Sequence, residues 1–232
     1  MNISKAKEIL DYWFSKGVYT PDYDKWFMKS EDYDEEIKEK FGDLLKEAEK
    51  GKGYGWLVSK DSYVAYIILM DQFSRHIYRG HGDSFKNDNG VMIFTEMGFE
   101  LYREQLKGYE FMFAFMPFMH TESILYQKKG RDFFHRQTAM YGETAYAKRP
   151  LSGGENPSFS SRMGRTIIFP AEKTNYDKEW EMLKQMEPHQ KGHMETIQNF
   201  GRFPKRNKAL KRETTDSEKR YLEQPEVQKR PY

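Results

Sequence analysis

The chain has 232 residues, no cysteine, a formal net charge of +2 and 17 Phe, 16 Tyr and 4 Trp. This length supplies either one large core or two small ones, and the aromatic content excludes a disordered chain. Without cysteine there is no disulfide and no thiolate chemistry. Near-neutral charge gives bulk electrostatics no polyanion to seek, and no apolar run reaches the roughly 20 residues a membrane span needs. The first ten residues, MNISKAKEIL, carry lysines and Glu8 where a signal peptide would be apolar, so a cytoplasmic chain is expected.

Taken in order, Ser4 can cap a first helix with Ala6, Ile9, Leu10, Trp13 and Phe14 on one face. Trp26 and Phe27 fall in a connection. Ser30 can cap a second helix with Tyr33, Ile37, Phe41, Leu44, Leu45 and Ala48 inward. A central helix is expected over about 61–78, with Gly80 as its stop. Ser84 is expected to cap a helix running to Lys107, with Val91, Phe94, Met97, Gly98 and Leu101 inward. The run from Phe111 is expected to stop at Pro117, and a further helix to start near Met119 and His120.

The stretch 148–174 is rich in Pro, Gly and Ser and reads as an inserted loop, with a short strand at 166–169. Helix resumes near Tyr176 with Trp180 and Leu183 inward, breaks at Pro188, and continues with His193, Ile197 and Phe200 on one face. Thr215 to Glu218 spells a capping box for a last helix, and 225–232 reads as a frayed tail. Apart from that short strand nothing alternates like a strand with hairpin turns, so the fold class is all-α: antiparallel helical hairpins in one bundle over 1–232.

Three stretches could carry chemistry. In DQFSRHIYRG the apolar central helix turns polar at Asp71, Gln72, Arg75, His76 and Arg79. Asp71, Arg75 and Arg79 are four apart and share a helix face, which reads either as an i,i+4 ion-pair stripe or as a site, because a buried Arg wants a carboxylate or phosphate in its fork. In MPFMHTES, His120 and Glu122 point about 200° apart on a regular helix and cannot readily chelate one metal together, although irregular backbone at a helix start would let them; with no clean ligand spacing such as HExxH, no metal or cofactor is expected. His193 reads as a core histidine unless the following turn, with Arg202, Arg206 and Asn207 stiffened by Pro204, brings anion-binding groups to it.

These segments resemble a known family, the bacterial domain of unknown function 924. The resemblance rests on LDYWF at 10–14, Trp26-Phe27, Tyr33-Asp34, DQFSRHIYRG with Phe85 and Asp88, MPFMHTES, and His193 followed by FGRFPKRN, then Leu210 to Arg212, Thr214-Thr215 and Glu218. It implies an all-α, TPR-like fold with an insertion between Gln127 and His193, and no particular reaction. The sequence departs from the family at His76, where the family carries Asn, and at Lys205, where it carries His.

The resulting expectation is a pocket for an anionic small molecule, carrying phosphate or carboxylate. Arg75, Arg79, Arg202 and Arg206 would hold the anion with Gln72, His76 and Asn207. His120 or His193 would carry a proton, and Asp71 and Glu122 would orient or pair. The alternative is a non-catalytic TPR-like module that binds a protein or peptide. Residues 202–230 hold ten Lys/Arg and five Asp/Glu, but the signs alternate, so nucleic acid is not an expected partner.

Overall fold

The molecule is organised around one helical segment, Lys60 to Ile77, buried without a break from Ser62 to Ser74, in the computed structural model, which describes residues 4–51, 53–147 and 173–228. It comprises α4 (Lys60–Ile67), a wide π turn (Ile68–Phe73) and α5 (Ser74–Ile77). The start is Ser59, not Asp61: the Ser59 and Ser62 side chains cap each other's backbone in a reciprocal box. The end is set by Gly80, which sits at φ 80°.

Around it lie α1 (Ser4–Trp13), α2 (Tyr23–Phe27), α3 (Glu31–Ala48), α6 (Met92–Tyr102), α7 (Tyr109–His120), α8 (Ile124–Ala147), α9 (Lys173–Phe200), α10 (Asp216–Leu222) and α11 (Pro225–Gln228). The described residues are all-α, with no strand among them. None of the described helices is long and apolar enough to cross a membrane. Residues 148–172, with the expected short strand, and 229–232 lie outside the described residues; 173–174 open α9, and 225–228 form α11 with Val227 buried rather than a frayed end.

The expected capping signals operate. Ser30 Oγ accepts from Tyr33 N at 3.3 Å and opens α3, and Thr215 with Glu218 forms the box that opens α10. The Ile37, Phe41, Leu45 and Ala48 stripe of α3 is buried, as are Ala6, Ile9 and Trp13 of α1. Helix α7 is apolar all round, and eleven of its twelve residues are buried, so it and α4 form the middle of the core. Trp13 ties the parts together, with ring centroids 5.4 Å from both Phe73 and Phe113.

Further boundaries differ from expectation. Ser84 does not cap a long helix: its hydroxyl bonds the Tyr78 carbonyl, and α6 starts only at Met92 after a turned stretch. This rotates Met97 and Leu101 outward, while Val91, Phe94 and Gly98 stay buried. Trp26 and Phe27 lie in the short helix α2 rather than in a bare connection. Helix α7 passes through Pro117 and ends at His120; α9 likewise passes through Pro188. Pro removes one donor and strains one turn; at Pro117 the buried packing around the ring outweighs that cost, whereas Pro188 lies exposed on α9. His120 therefore closes a helix instead of opening one.

Candidate functional site

The π turn sets the site. It widens the helix by one residue per turn over Ile68–Phe73, which turns the neighbours Asp71 and Gln72 towards α7; such turns recur at functional sites. Side chains one turn on bond its carbonyls: Ser74 Oγ donates to Met70 O at 2.7 Å, and Arg75 Nη1 to Asp71 O at 2.7 Å.

Asp71 is fully buried and completely engaged. Its carboxylate accepts His120 Nδ1 at 2.8 and 2.9 Å and Gln72 Nε2 at 2.6 Å, and Arg75 Nη1 lies 3.3 Å away. Burial alone would raise its pKa, but Arg75, His120 and Gln72 together hold it below the usual carboxylate range. Burial and the Arg75 charge push the His120 imidazole down, against the pull of Asp71. The Asp71 carboxylate can only accept, so a neutral His120 carries its proton on Nδ1 and a lone pair on Nε2.

A second acid, Asp88, continues the network. Arg75 Nη2 donates to both its oxygens at 3.0 and 3.1 Å, and Arg206 Nη1 donates at 2.8 Å. Arg206 Nη2 then donates to the backbone carbonyl of His120 at 2.9 Å, which closes a circuit through His120, Asp71, Arg75, Asp88 and Arg206. The Arg206 guanidinium is clamped between the Phe85 and Phe203 rings, 4.4 and 4.5 Å from their centroids. His193 stands beside this circuit, its ring 6.0 Å from that of His120 and 5.3 Å from Phe203. Burial first, then His120 and Arg206, hold its imidazole well below its ordinary value.

Arg75 and His120 of the circuit line a cavity of about 740 Å³, a volume typical of small-molecule sites. Gln72, Arg75, His120 and His193 line the polar end. Met112, Met116 and Met119 of α7 and Met182 and Met186 of α9 line much of the remainder with Trp26 and Tyr109. Methionine is soft and adaptable, so such a wall takes apolar bodies of varied shape. His76 and Arg79 also reach the cavity, but both bind Asp34: His76 Nδ1 lies 2.8 Å from Asp34 Oδ1, and Arg79 grips the carboxylate with two nitrogens.

The structure thus gathers Asp71, Gln72, Arg75, His76, Arg79, His120, His193 and Arg206 in or against one cavity. The other three expected residues stand apart. Arg202 forks onto Glu218 at 2.7 and 2.9 Å, and Asn207 Nδ2 donates to Glu218 at 3.2 Å, so both brace the turn that precedes α10. Glu122 accepts from Arg212 at 3.0 and 2.8 Å and from the Phe203 amide at 2.9 Å, fixing the GRFP turn to the α7–α8 connection. Sequence reasoning passed over Asp34 and Asp88 as site residues, although each lies in a segment that carries the family resemblance. It also missed the methionine wall, whose signal is the i,i+4 spacing of Met112 with Met116 and of Met182 with Met186. Among the described residues no group of three or more His, Asp or Glu has the geometry of a metal site.

The family described as "Bacterial protein of unknown function (DUF924)" matches residues 9–226. The chain belongs to this family. A solved structure, that of a protein of unknown function from Agrobacterium tumefaciens, is similar to it at 26% identity and a TM-score of 0.67. The likeness covers 95% of this chain and 97% of that one. No curated protein matches the chain. The DUF924 match takes in every residue of the circuit, both histidines and the methionine wall, and it assigns none of them a role.

Proposed function

We propose that this protein binds a small, largely apolar molecule in the 740 Å³ cavity, with the reacting or recognised end of that molecule against His120. The observation that carries this reading is the pairing of Asp71 with His120 at a cavity lined largely by methionine and aromatic side chains. A neutral imidazole whose Nδ1–H is fixed by a buried carboxylate presents Nε2 as a lone pair, which is the arrangement of a general base. His120 would carry the proton, Asp71 would orient the ring, and the methionines would exclude water. An enzyme with this site would act on a small molecule, and the cysteine-free chain suits a cytoplasmic setting.

Titration of the full chain with the neutral fluorophore N-phenyl-1-naphthylamine tests the reading. Saturable fluorescence gain is expected, and it should be lost in Met116→Trp, which fills the cavity from a partly exposed position while unfolding stays cooperative. No saturable binding to the parent protein would overturn the proposal.

A second reading, a TPR-like module that holds a peptide, draws on α6. Ile93, Met97 and Leu101 are spaced four apart and exposed by 58%, 44% and 59%, an apolar stripe facing outward. Charged substitution of these three should abolish partner capture and leave fluorophore binding intact if this face is the functional one.

A further inference from the structure

From the hydrogen-bond polarity of the cavity wall at Gln72 and His120 we infer that the ligand's head is uncharged and carries a hydroxyl, and is not a carboxylate or phosphate. The inference rests on the small-molecule reading above and narrows it to one class, an apolar molecule with an alcohol head. It starts from Asp71. A carboxylate can only accept, so each neighbour must turn a donor to it. Gln72 gives it Nε2, which fixes the amide and leaves Oε1 to accept. His120 gives it the Nδ1 proton, which leaves Nε2 to accept. Both side chains line the cavity. The two polar groups that Asp71 orients there therefore offer lone pairs, and a lone pair recognises an O–H or N–H.

The charges point the same way. An anion needs an unsatisfied cation, and the nearby arginines already hold carboxylates of this chain. Arg75 has its terminal nitrogens on Asp71 and Asp88, Arg206 on Asp88 and the His120 carbonyl, and Arg79 on Asp34. The two guanidinium charges of the circuit are cancelled by its two carboxylates. A carboxylate or phosphate head would lose its water, meet two lone pairs and gain no uncompensated positive charge, a costly burial. A cationic head would lie against Arg75. A hydroxyl avoids both costs: it donates to His120 Nε2 or Gln72 Oε1 and leaves the circuit undisturbed.

Three displacers with the same ten-carbon chain separate the possibilities. The full chain is loaded with N-phenyl-1-naphthylamine at pH 7.5 and titrated, below micelle formation, with 1-decanol, decanoate or decyl phosphate. Decanol is expected to displace the fluorophore at a concentration at least about tenfold lower than either anion, which corresponds to about 1.4 kcal/mol. Gln72→Met removes one of the two lone pairs and should narrow that preference, read as the ratio of decanol to decanoate displacement within the variant; an unchanged ratio would overturn the role given to Gln72 Oε1. Displacement that is equal for all three, or stronger for either anion, overturns the head-group inference and leaves the small-molecule reading standing. Absence of fluorophore binding to the parent protein removes both.

Discussion

Arg206 donates to the backbone carbonyl of His120, and the ring of that same histidine donates to Asp71, so one residue closes both ends of a five-residue circuit. The closure has a mechanical meaning. The backbone of His120 is held by the GRFP turn, and its ring is held by the π turn of the central helix. The position of Nε2 relative to the cavity is therefore fixed by two elements far apart in sequence. Arg75 and Asp88 connect those anchors, so a change at any member is felt by the ring.

Asp71→Asn should be the most disruptive conservative change. It keeps the shape but leaves Arg75 with less charge to face and presents the wrong group to either His120 or Gln72. Removing one partner of a buried pair costs about 3–5 kcal/mol, and urea unfolding should show a loss in that range. His120→Gln removes a neutral partner and should cost less, about 1–3 kcal/mol. A wild-type urea midpoint for Asp71→Asn would show that the circuit contributes little to folding.

Gly98→Ala tests the packing that positions the central helix. A Cβ there would lie 2.2 Å from the ring of Tyr63, which is fully buried and bonds the Thr95 carbonyl at 3.1 Å. Neither α4 nor α6 can retreat from the core, so overpacking should cost about 1–3 kcal/mol and lower the thermal midpoint. An unchanged midpoint would mean that this contact relaxes without strain.

Acid should unfold this protein earlier than its near-neutral charge suggests. His76, His120 and His193 all titrate below the ordinary imidazole value in the folded state, burial being the first cause in each. Unfolding restores values near 6.5, about where a histidine in water titrates, so the unfolded state binds more protons just below that pH. Stability contributed by keeping these rings neutral is complete above about 6.5 and falls as pH drops through the lowered folded values. Glu218 acts at lower pH. The Arg202 fork holds its carboxyl down from 4.5 to about 2, so its contribution is lost as pH falls from 4.5 towards 2. Urea midpoints should therefore decline from pH 7 to pH 5, and His193→Gln should flatten the decline. A flat parent profile over that range would contradict the neutral histidines.

Much of this fold is written locally. The Ser30 cap, the Thr215–Glu218 box, the α1 and α3 stripes and the Gly80 stop are short-range signals, and each appears where its residues put it. What failed locally was decided by tertiary packing. Pro117 reads as a stop, yet α7 continues because its ring sits in a core that holds both flanking turns. The π turn has no sequence signature of its own; the Ser74 hydroxyl and the partners of Asp71 and Arg75 hold it. The arginines were legible as buried and in need of acids, but which acid each would find was not. Asp34 and Asp88 come from other segments, and their approach depends on how α3 and the Phe85 turn pack against α5. The methionine wall was hidden for the same reason, since its two halves lie on α7 and α9.

The most direct measurement is a long-range ¹⁵N–¹H spectrum of the His120 ring, assigned by its loss in His120→Gln, recorded at pH 7.5 with and without 1-decanol. The account predicts a protonated Nδ1 and an unprotonated Nε2 in the unliganded protein, with Nε2 alone shifting as decanol saturates the cavity. A proton on Nε2, or ring nitrogens indifferent to a ligand that displaces the fluorophore, would contradict it.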